Sequence, residues 1–223
     1  RDHEALFSMP GTMPAKEDPI LGLQSQQARG EQHMLVLAVK FDPHQIIRLM
    51  ARAIDPAISE DLLVQATENR IRRFAGAIVN IPPTTVAVLM ALRGAGKKLA
   101  LISNADVMEI QAWEQSPIAD LFHATLFSCY VGCVKPEPEI YNLCLRQLDV
   151  CADECVFVGD GGSQELEGAR DCGITTVMVT GIIQELWPDR IKERQAHADF
   201  VIEHLSDLVT HSGGLHNRGQ ETR

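Results

Sequence analysis

The stretch VFVGDGGSQELEGAR, residues 156–170, carries the fold in miniature. Val156-Phe157-Val158 is a short apolar run stopped by Gly159, which reads as a strand buried on both faces. Gly161 and Gly162 make a tight turn, and Glu165 opens a helix whose first turn favours negative charge. A buried strand that passes through a glycine turn into a helix is half of a parallel βαβ unit.

Outward from this stretch the same pattern recurs. KKLALIS (97–103), ATLFSC (124–129), CVFVG (155–159), TTVMVT (175–180) and ADFVI (198–202) are apolar runs separated by helical or turn sequence. The alternation predicts an α/β protein, a doubly wound Rossmann-like parallel sheet, over residues 83–211. Upstream, Ile46, Leu49, Met50, Ala53 and Ile54 repeat at helical spacing, as do Ile71, Phe74, Ala75 and Ile78, until Pro82-Pro83 breaks the second helix. Thr84 is a candidate cap for a third helix with Val86, Leu89 and Met90 on its apolar face. Residues 1–82 thus read as a loop-like lead-in to about residue 32, rich in Pro, Gly, Gln and Glu, followed by a partial helical cap. Residues 212–223, polar and glycine-rich, read as a disordered tail.

Ligands of an open parallel sheet bind beyond the carboxyl ends of its strands, so the polar residues found there are the candidates for chemistry. Ser103 and Asn104 end the LALIS strand, where a hydroxyl and backbone N–H groups can hold phosphoryl oxygens. Lys135, in VKPEPEIY (134–141), is pinned by the prolines that start a helix and is placed to neutralise a carboxylate and a phosphoryl group. Asp160 and Glu165 face each other across the glycine turn, and two such carboxylates can converge on a hard cation.

In order and spacing, LISNAD (101–106), VKPEPEIY and VGDGGSQELEGAR (158–170) resemble motifs II, III and IV of the haloacid dehalogenase (HAD) superfamily. Those motifs are a strand ending in Ser/Thr-Asn, a Lys-Pro before a helix, and a strand ending in Gly-Asp followed by a second acid. GITTVMVTG (173–181) and ADFVIEHLSDL (198–208) follow as the family's later strands do, and the resemblance covers residues 82–210. It implies a phosphatase that hydrolyses phosphoric esters of small metabolites through an aspartyl phosphate, with Mg2+ as cofactor. It implies further that Ser103 and the Asn104 backbone bind the phosphoryl group, that Lys135 stabilises the charged intermediate, and that Asp160 and Glu165 hold Mg2+. The helices before residue 82 would be the end of a cap that selects substrates.

The family's nucleophile lies in a DxDGT-like motif at the end of the first, central strand, its second Asp serving as acid and base. Residues 1–82 contain no DxDGT. The nearest imitation is MLVLAVKFDPHQ (34–45), with Asp42 in the nucleophile's place and His44 in that of the second acid. Three readings stay open. The first strand and its Asp lie upstream of Arg1, leaving an empty slot between the LALIS and VFVG strands that only MLVLAVKF could fill; or Asp42 is a degenerate nucleophile; or the chain is a catalytically inactive binding protein. A 2-haloacid dehalogenase is the alternative enzyme, against which the Asp160–Glu165 pair speaks.

Composition narrows the partners. The 30 acidic against 20 basic residues give a formal charge of -10, which repels nucleic-acid backbones and anionic membranes. No run of about 18 apolar residues is present to cross a membrane. The six cysteines, at 129, 133, 144, 151, 155 and 172, lack accompanying histidines at finger-like spacing and read as free thiols of a reduced cytoplasm rather than a zinc site.

Overall fold

The computed structural model describes residues 4–8 and 42–210. Within them one six-stranded parallel sheet runs in the order β3-β2-β1-β4-β5-β6. Its strands are β1 (Glu4–Ser8), β2 (Leu99–Ser103), β3 (Ala124–Phe127), β4 (Cys155–Gly159), β5 (Thr175–Val179) and β6 (Phe200–Ile202). Strands β1 to β3 step one way across the sheet and β4 to β6 the other, so the order reverses between β1 and β4. A ligand crevice belongs at that reversal, beyond the carboxyl ends of these two strands.

The central strand corrects the sequence reading, which puts residues 1–32 in a lead-in. Glu4–Ser8 lies parallel to β2, with Ala5 against Leu99 and Ser8 against Ile102, and to β4, with Glu4 against Cys155 and Phe7 against Val158. A five-residue run bounded by Glu and Ser carries too little periodicity to stand out from a loop. The unpaired edges of β2 and β4 supply what the local sequence lacks, because each offers a row of backbone donors and acceptors. The slot between them is filled from within the described chain. MLVLAVKF, the other candidate for that slot, lies outside the described residues, as does the 212–223 tail.

Alternation along the strands divides two cores. Ala100, Ile102, Cys155, Phe157 and Met178 face one side and pack with Ile140, Tyr141 and Cys144 of the helix Pro138–Leu148 and with Leu166 and Ala169 of the helix Glu165–Asp171. Leu99, Leu101, Val158 and Val177 face the other and pack with Leu89 of the helix Pro83–Gly94, with Ile78, and with Trp113. Both faces are covered, which is why these strands read as continuous apolar runs. Pro83 occupies the first helical position and Pro82 the cap, so Thr84 is not the cap residue.

In chain order the helices used below are α1 (Pro43–Ile54), α2 (Glu60–Val79), α3 (Pro83–Gly94), α4 (Pro138–Leu148), α5 (Glu165–Asp171) and α6 (Ile191–Gln195). Helices α1 and α2 form the cap-like pair. The buried face of α1 is Ile46, Ile47 and Ala51, while Leu49 and Ile54 are exposed. The apolar stripe is thus rotated from the one expected, because α1 closes on Leu63 of α2 and on Met108, a core-loop side chain inserted beneath the cap.

A polar latch joins cap to core. Arg70 of α2 donates to Asp106 at 2.9 Å and to Glu109 at 2.7 Å, and its guanidinium lies over Phe74. Asp106 lies three residues beyond the end of β2, so the latch is close in sequence to the strand end that carries Ser103 and Asn104. Burial, with the neighbouring Asp106 charge, pushes Glu109 up to about 7 despite the opposing pull of Arg70 and Arg73. A carboxyl whose folded pKa is raised contributes stability that is complete below its unfolded value and is lost as pH rises through about 7. Between about pH 4.5 and 7 we expect unfolding free energy to fall by roughly 1–2 kcal/mol from this group, allowing for its partial exposure. Glu109→Gln should flatten that slope in urea titrations; a slope unchanged in the variant would remove Glu109 as its source.

Candidate active site

Asn104 lashes the Lys135 loop to the end of β2. Its side-chain amide donates to the Lys135 carbonyl at 2.9 Å, and its side-chain oxygen accepts from the Lys135 N–H at 2.8 Å. Lys135 is only 4% exposed, although its Nζ lies among polar groups. The ammonium donates to the Ile102 carbonyl at 3.3 Å and to Glu165 Oε2 at 2.6 Å. Glu165 is buried as well, and its Oε1 accepts from the Gly161 N–H at 3.1 Å. A buried charge survives when paired and hydrogen-bonded in this way.

Two glycines let the carboxylate approach. A Cβ on Gly159 would overlap Glu165 Oε1, and one on Gly168 would stand 2.6 Å from the Pro136 carbonyl and 2.9 Å from the Tyr141 hydroxyl. That hydroxyl donates to the Glu165 carbonyl at 2.9 Å, fixing the first turn of α5 to α4. The connecting turn holds Ser163 and Gln164 at φ 52° and 55°, a region L-residues enter only when the surroundings compel it.

Asp160 belongs to a second pair. Its Oδ1 accepts from the Gly162 N–H at 2.7 Å, and its Oδ2 accepts from Arg194 of α6 at 3.2 Å. The same guanidinium donates to the Asp160 carbonyl at 3.2 Å. Asn104, Lys135 and Glu165 are therefore joined in one bonded chain, with Asp160 next to it on Arg194, while Ser103 stands half-buried at the end of β2 in register with Phe127.

Each carboxylate has one oxygen on a backbone N–H and the other on a cationic side chain, so a dication at Asp160 or Glu165 would share these oxygens with Arg194 or Lys135 through their remaining lone pairs. Among the described residues no three His, Cys, Asp or Glu side chains converge on one point.

Asp42 is a helix cap. Its carboxylate accepts from the Gln45 N–H at 3.0 Å while the Gln45 side chain accepts from the Asp42 N–H at 3.1 Å, a reciprocal capping box at the start of α1. It ends no described strand, and His44 is exposed on the same first turn. Asp42→Ala should cost about 1 kcal/mol of stability and leave ligand affinity unchanged, read by urea unfolding and phosphate titration. A loss of affinity greater than tenfold would return Asp42 to the site.

Three contributors escaped the sequence reading. Arg194 lies in the polar run IKERQ, which gives no local signal. Gly168 sits in a helix, where its need is visible only once the Pro136 loop is in place. Ser8 ends β1 at the reversal of strand order, and a signal did exist: residues 8–12 read Ser-Met-Pro-Gly-Thr, keeping the Gly-Thr of DxDGT while placing Ser8 and Pro10 at its two carboxylate positions.

A doubly wound parallel sheet, with a helix pair packed beside it and a buried Lys–Glu pair at its strand ends, defines a Rossmann-like α/β fold. The sequence model of the haloacid dehalogenase-like hydrolases matches residues 23–173, and the chain belongs to that family of hydrolases. Among curated proteins it is 32% identical over 131 residues to glyceraldehyde 3-phosphate phosphatase of Methanopyrus kandleri, covering 57% of this chain and 54% of that one. It is 34% identical over 110 residues to bifunctional epoxide hydrolase 2 of Mus musculus, covering 47% of this chain and 19% of that one. The chain thus spans about half the length of the phosphatase relative. Among solved structures, L-2-haloacid dehalogenase of Xanthobacter autotrophicus shares the fold at a TM-score of 0.66 and 18% identity, covering 97% of this chain and 100% of that one. A HAD-family enzyme of Bacteroides thetaiotaomicron, solved with magnesium and inorganic phosphate, does so at 0.57 and 20%, covering 80% and 94%.

Proposed function

We propose that the crevice at the carboxyl end of β1, β2 and β4 takes the phosphoryl group of a small phosphorylated metabolite. The observation that carries this reading is Lys135, a buried cation held at the strand ends by Ile102, Asn104 and Glu165. Ser103 and the Asn104 backbone stand at the adjacent strand end, where they can donate to phosphoryl oxygens. The phosphatase names of its relatives support the substrate class. The formal charge of -10 makes local capture by Lys135 the more necessary and speaks against nucleic acid as a partner. Among the described residues no single helix is long and apolar enough to cross a membrane. A reduced, cytoplasmic setting is supported by six cysteines that form no disulfide, of which burial pushes Cys129 up to about 11.

Hydrolysis through an aspartyl phosphate, as the family resemblance implies, and the dehalogenase alternative both need a carboxylate at the end of β1. Mg2+, the cofactor expected with the phosphatase, is assigned to Asp160 ahead of Glu165, which is held by Lys135. The test of the phosphoryl reading is calorimetric titration of the protein with inorganic phosphate. Saturable binding that Ser103→Ala weakens by about tenfold, a lost charge-assisted hydrogen bond, is the expected result. No binding at millimolar phosphate would sink it.

A further inference from the structure

We propose that Arg70 is a positioning residue for the substrate. Its bonds to Asp106 and Glu109 set the direction of the helix pair α1–α2 against the phosphoryl site, and so govern recognition of the organic part of a phosphate ester. The proposal rests on the phosphoryl reading above and adds to it the element that meets the rest of the substrate.

The first ground is that Asp106 is a fixed point of the core. Asn104 clasps the Lys135 loop through both ends of its side-chain amide. Ala105 donates its N–H to Ser128 Oγ at 3.0 Å, and its carbonyl accepts from the same hydroxyl at 3.2 Å. Asp106 Oδ1 accepts from the Met108 and Glu109 N–H groups at 2.8 and 3.1 Å, while Oδ2 accepts from Arg70. Each residue from the Lys135 clasp to the latch is therefore held by a second part of the molecule, and a helix bonded to Asp106 takes its position from the phosphoryl site.

The second ground is how α2 is held. The Ile78 carbonyl in its last turn accepts from Ser116 Oγ at 2.9 Å. One tether at a helix end leaves the direction of the helix free. Arg70 lies about 12 Å back along the axis and supplies a second. A single nitrogen, Nη2, makes both bonds of the latch, and the side chains of Arg70 and Asp106 are 13% and 7% exposed. The guanidinium also lies 4.8 Å from the centroid of Phe74, which restricts its rotamers. Met108 is buried among Ile46, Ile47, Ala51 and Leu63 of the pair, but an unbranched thioether adapts to what packs on it and fixes direction weakly. Since Met108 follows the carboxyl end of β2, the pair packs on the loop that leaves the ligand-binding end of the sheet.

Inorganic phosphate reaches the strand-end groups alone, whereas a monoester carries its organic part outward from them. Without the latch the pair spends part of its time in directions that lack the ester contact, and apparent affinity for the ester falls with the fraction lost.

The experiment titrates the 223-residue protein by calorimetry with inorganic phosphate and with glycerol 3-phosphate, a three-carbon monoester, magnesium chloride being present throughout. The unsubstituted protein should bind the ester more tightly than phosphate. Arg70→Met should weaken the ester by about tenfold and phosphate by less than about twofold. Arg70→Lys, which also brings one nitrogen to both carboxylates, should return the ester to within about threefold of the parent. If Arg70→Met fails to fold, Asp106→Asn carries the same test, because it keeps an oxygen for the Met108 N–H, turns a donor toward Arg70 and should show the same split. Equal losses for the two titrants would make Arg70 a structural residue only. Unchanged ester affinity in the variants, or an ester that binds the parent no more tightly than phosphate, also overturns the proposal, and each of these outcomes leaves phosphate binding by the parent in place. Absence of phosphate binding by the parent overturns the phosphoryl reading and this proposal with it.

Discussion

Replacing Lys135 with methionine should cost the fold about 3–5 kcal/mol, the penalty of leaving a buried carboxylate without its cation. Glu165 is 3% exposed on its side chain, and its Oε2 lies 2.6 Å from the ammonium. Methionine matches the lysine stem in length but returns no charge. The loss therefore comes from Glu165, stranded where water cannot reach it, more than from any missing packing. A double variant, Lys135→Met with Glu165→Leu, should recover more than half of the lost stability, since removing both partners leaves no unpaired charge. It should not recover phosphate binding. Urea unfolding of the single and double variants measures the first point and phosphate titration the second. A single variant within about 1 kcal/mol of the parent would show that the carboxylate is not committed to Lys135.

Gly168→Ala should destabilise by about 2–3 kcal/mol, an unusual price for one methyl group on a helix. Alanine is the better helix former, and in open surroundings the change would stabilise. Here the added Cβ would meet the Pro136 carbonyl at 2.6 Å, a backbone atom in the loop that Asn104 holds to β2. Relief requires α5 to move away from that loop, and α5 carries Glu165. The same substitution at Gly76, within α2, meets nothing within 4 Å and should stabilise by about 0.5–1 kcal/mol. Opposite signs at two helical glycines, measured in one denaturation series, separate close approach from helix propensity. If Gly168→Ala also stabilises, the contact between α5 and the Pro136 loop is not as tight as described.

Much of the architecture was legible. CVFVG became β4 residue for residue, and LALIS, ATLF and TTVMV became β2, β3 and β5, because strands buried on both faces are apolar throughout and bounded by turns. Asn104, Lys135 and Glu165 were legible as strand-end polar residues, and they do come together. The role of Asn104 was not. It was expected to offer its backbone to a phosphoryl group, and its side chain proves to be the clasp on Lys135, a contact across 31 positions that no local pattern encodes.

Hydrophobic periodicity thus sufficed for the sheet, its parallel sense and the strand ends where polar residues gather, since each follows from burial of a contiguous segment. The central strand, the partner of each carboxylate and the employment of Asp42 as a cap were decided only in three dimensions. EALFS becomes a strand because β2 and β4 both offer it unpaired backbone, and Asp160 is neutralised because α6 brings Arg194 from 34 residues away. Pairing energies of this kind depend on distance in space, and distance in space is what a linear pattern leaves open until the chain has closed.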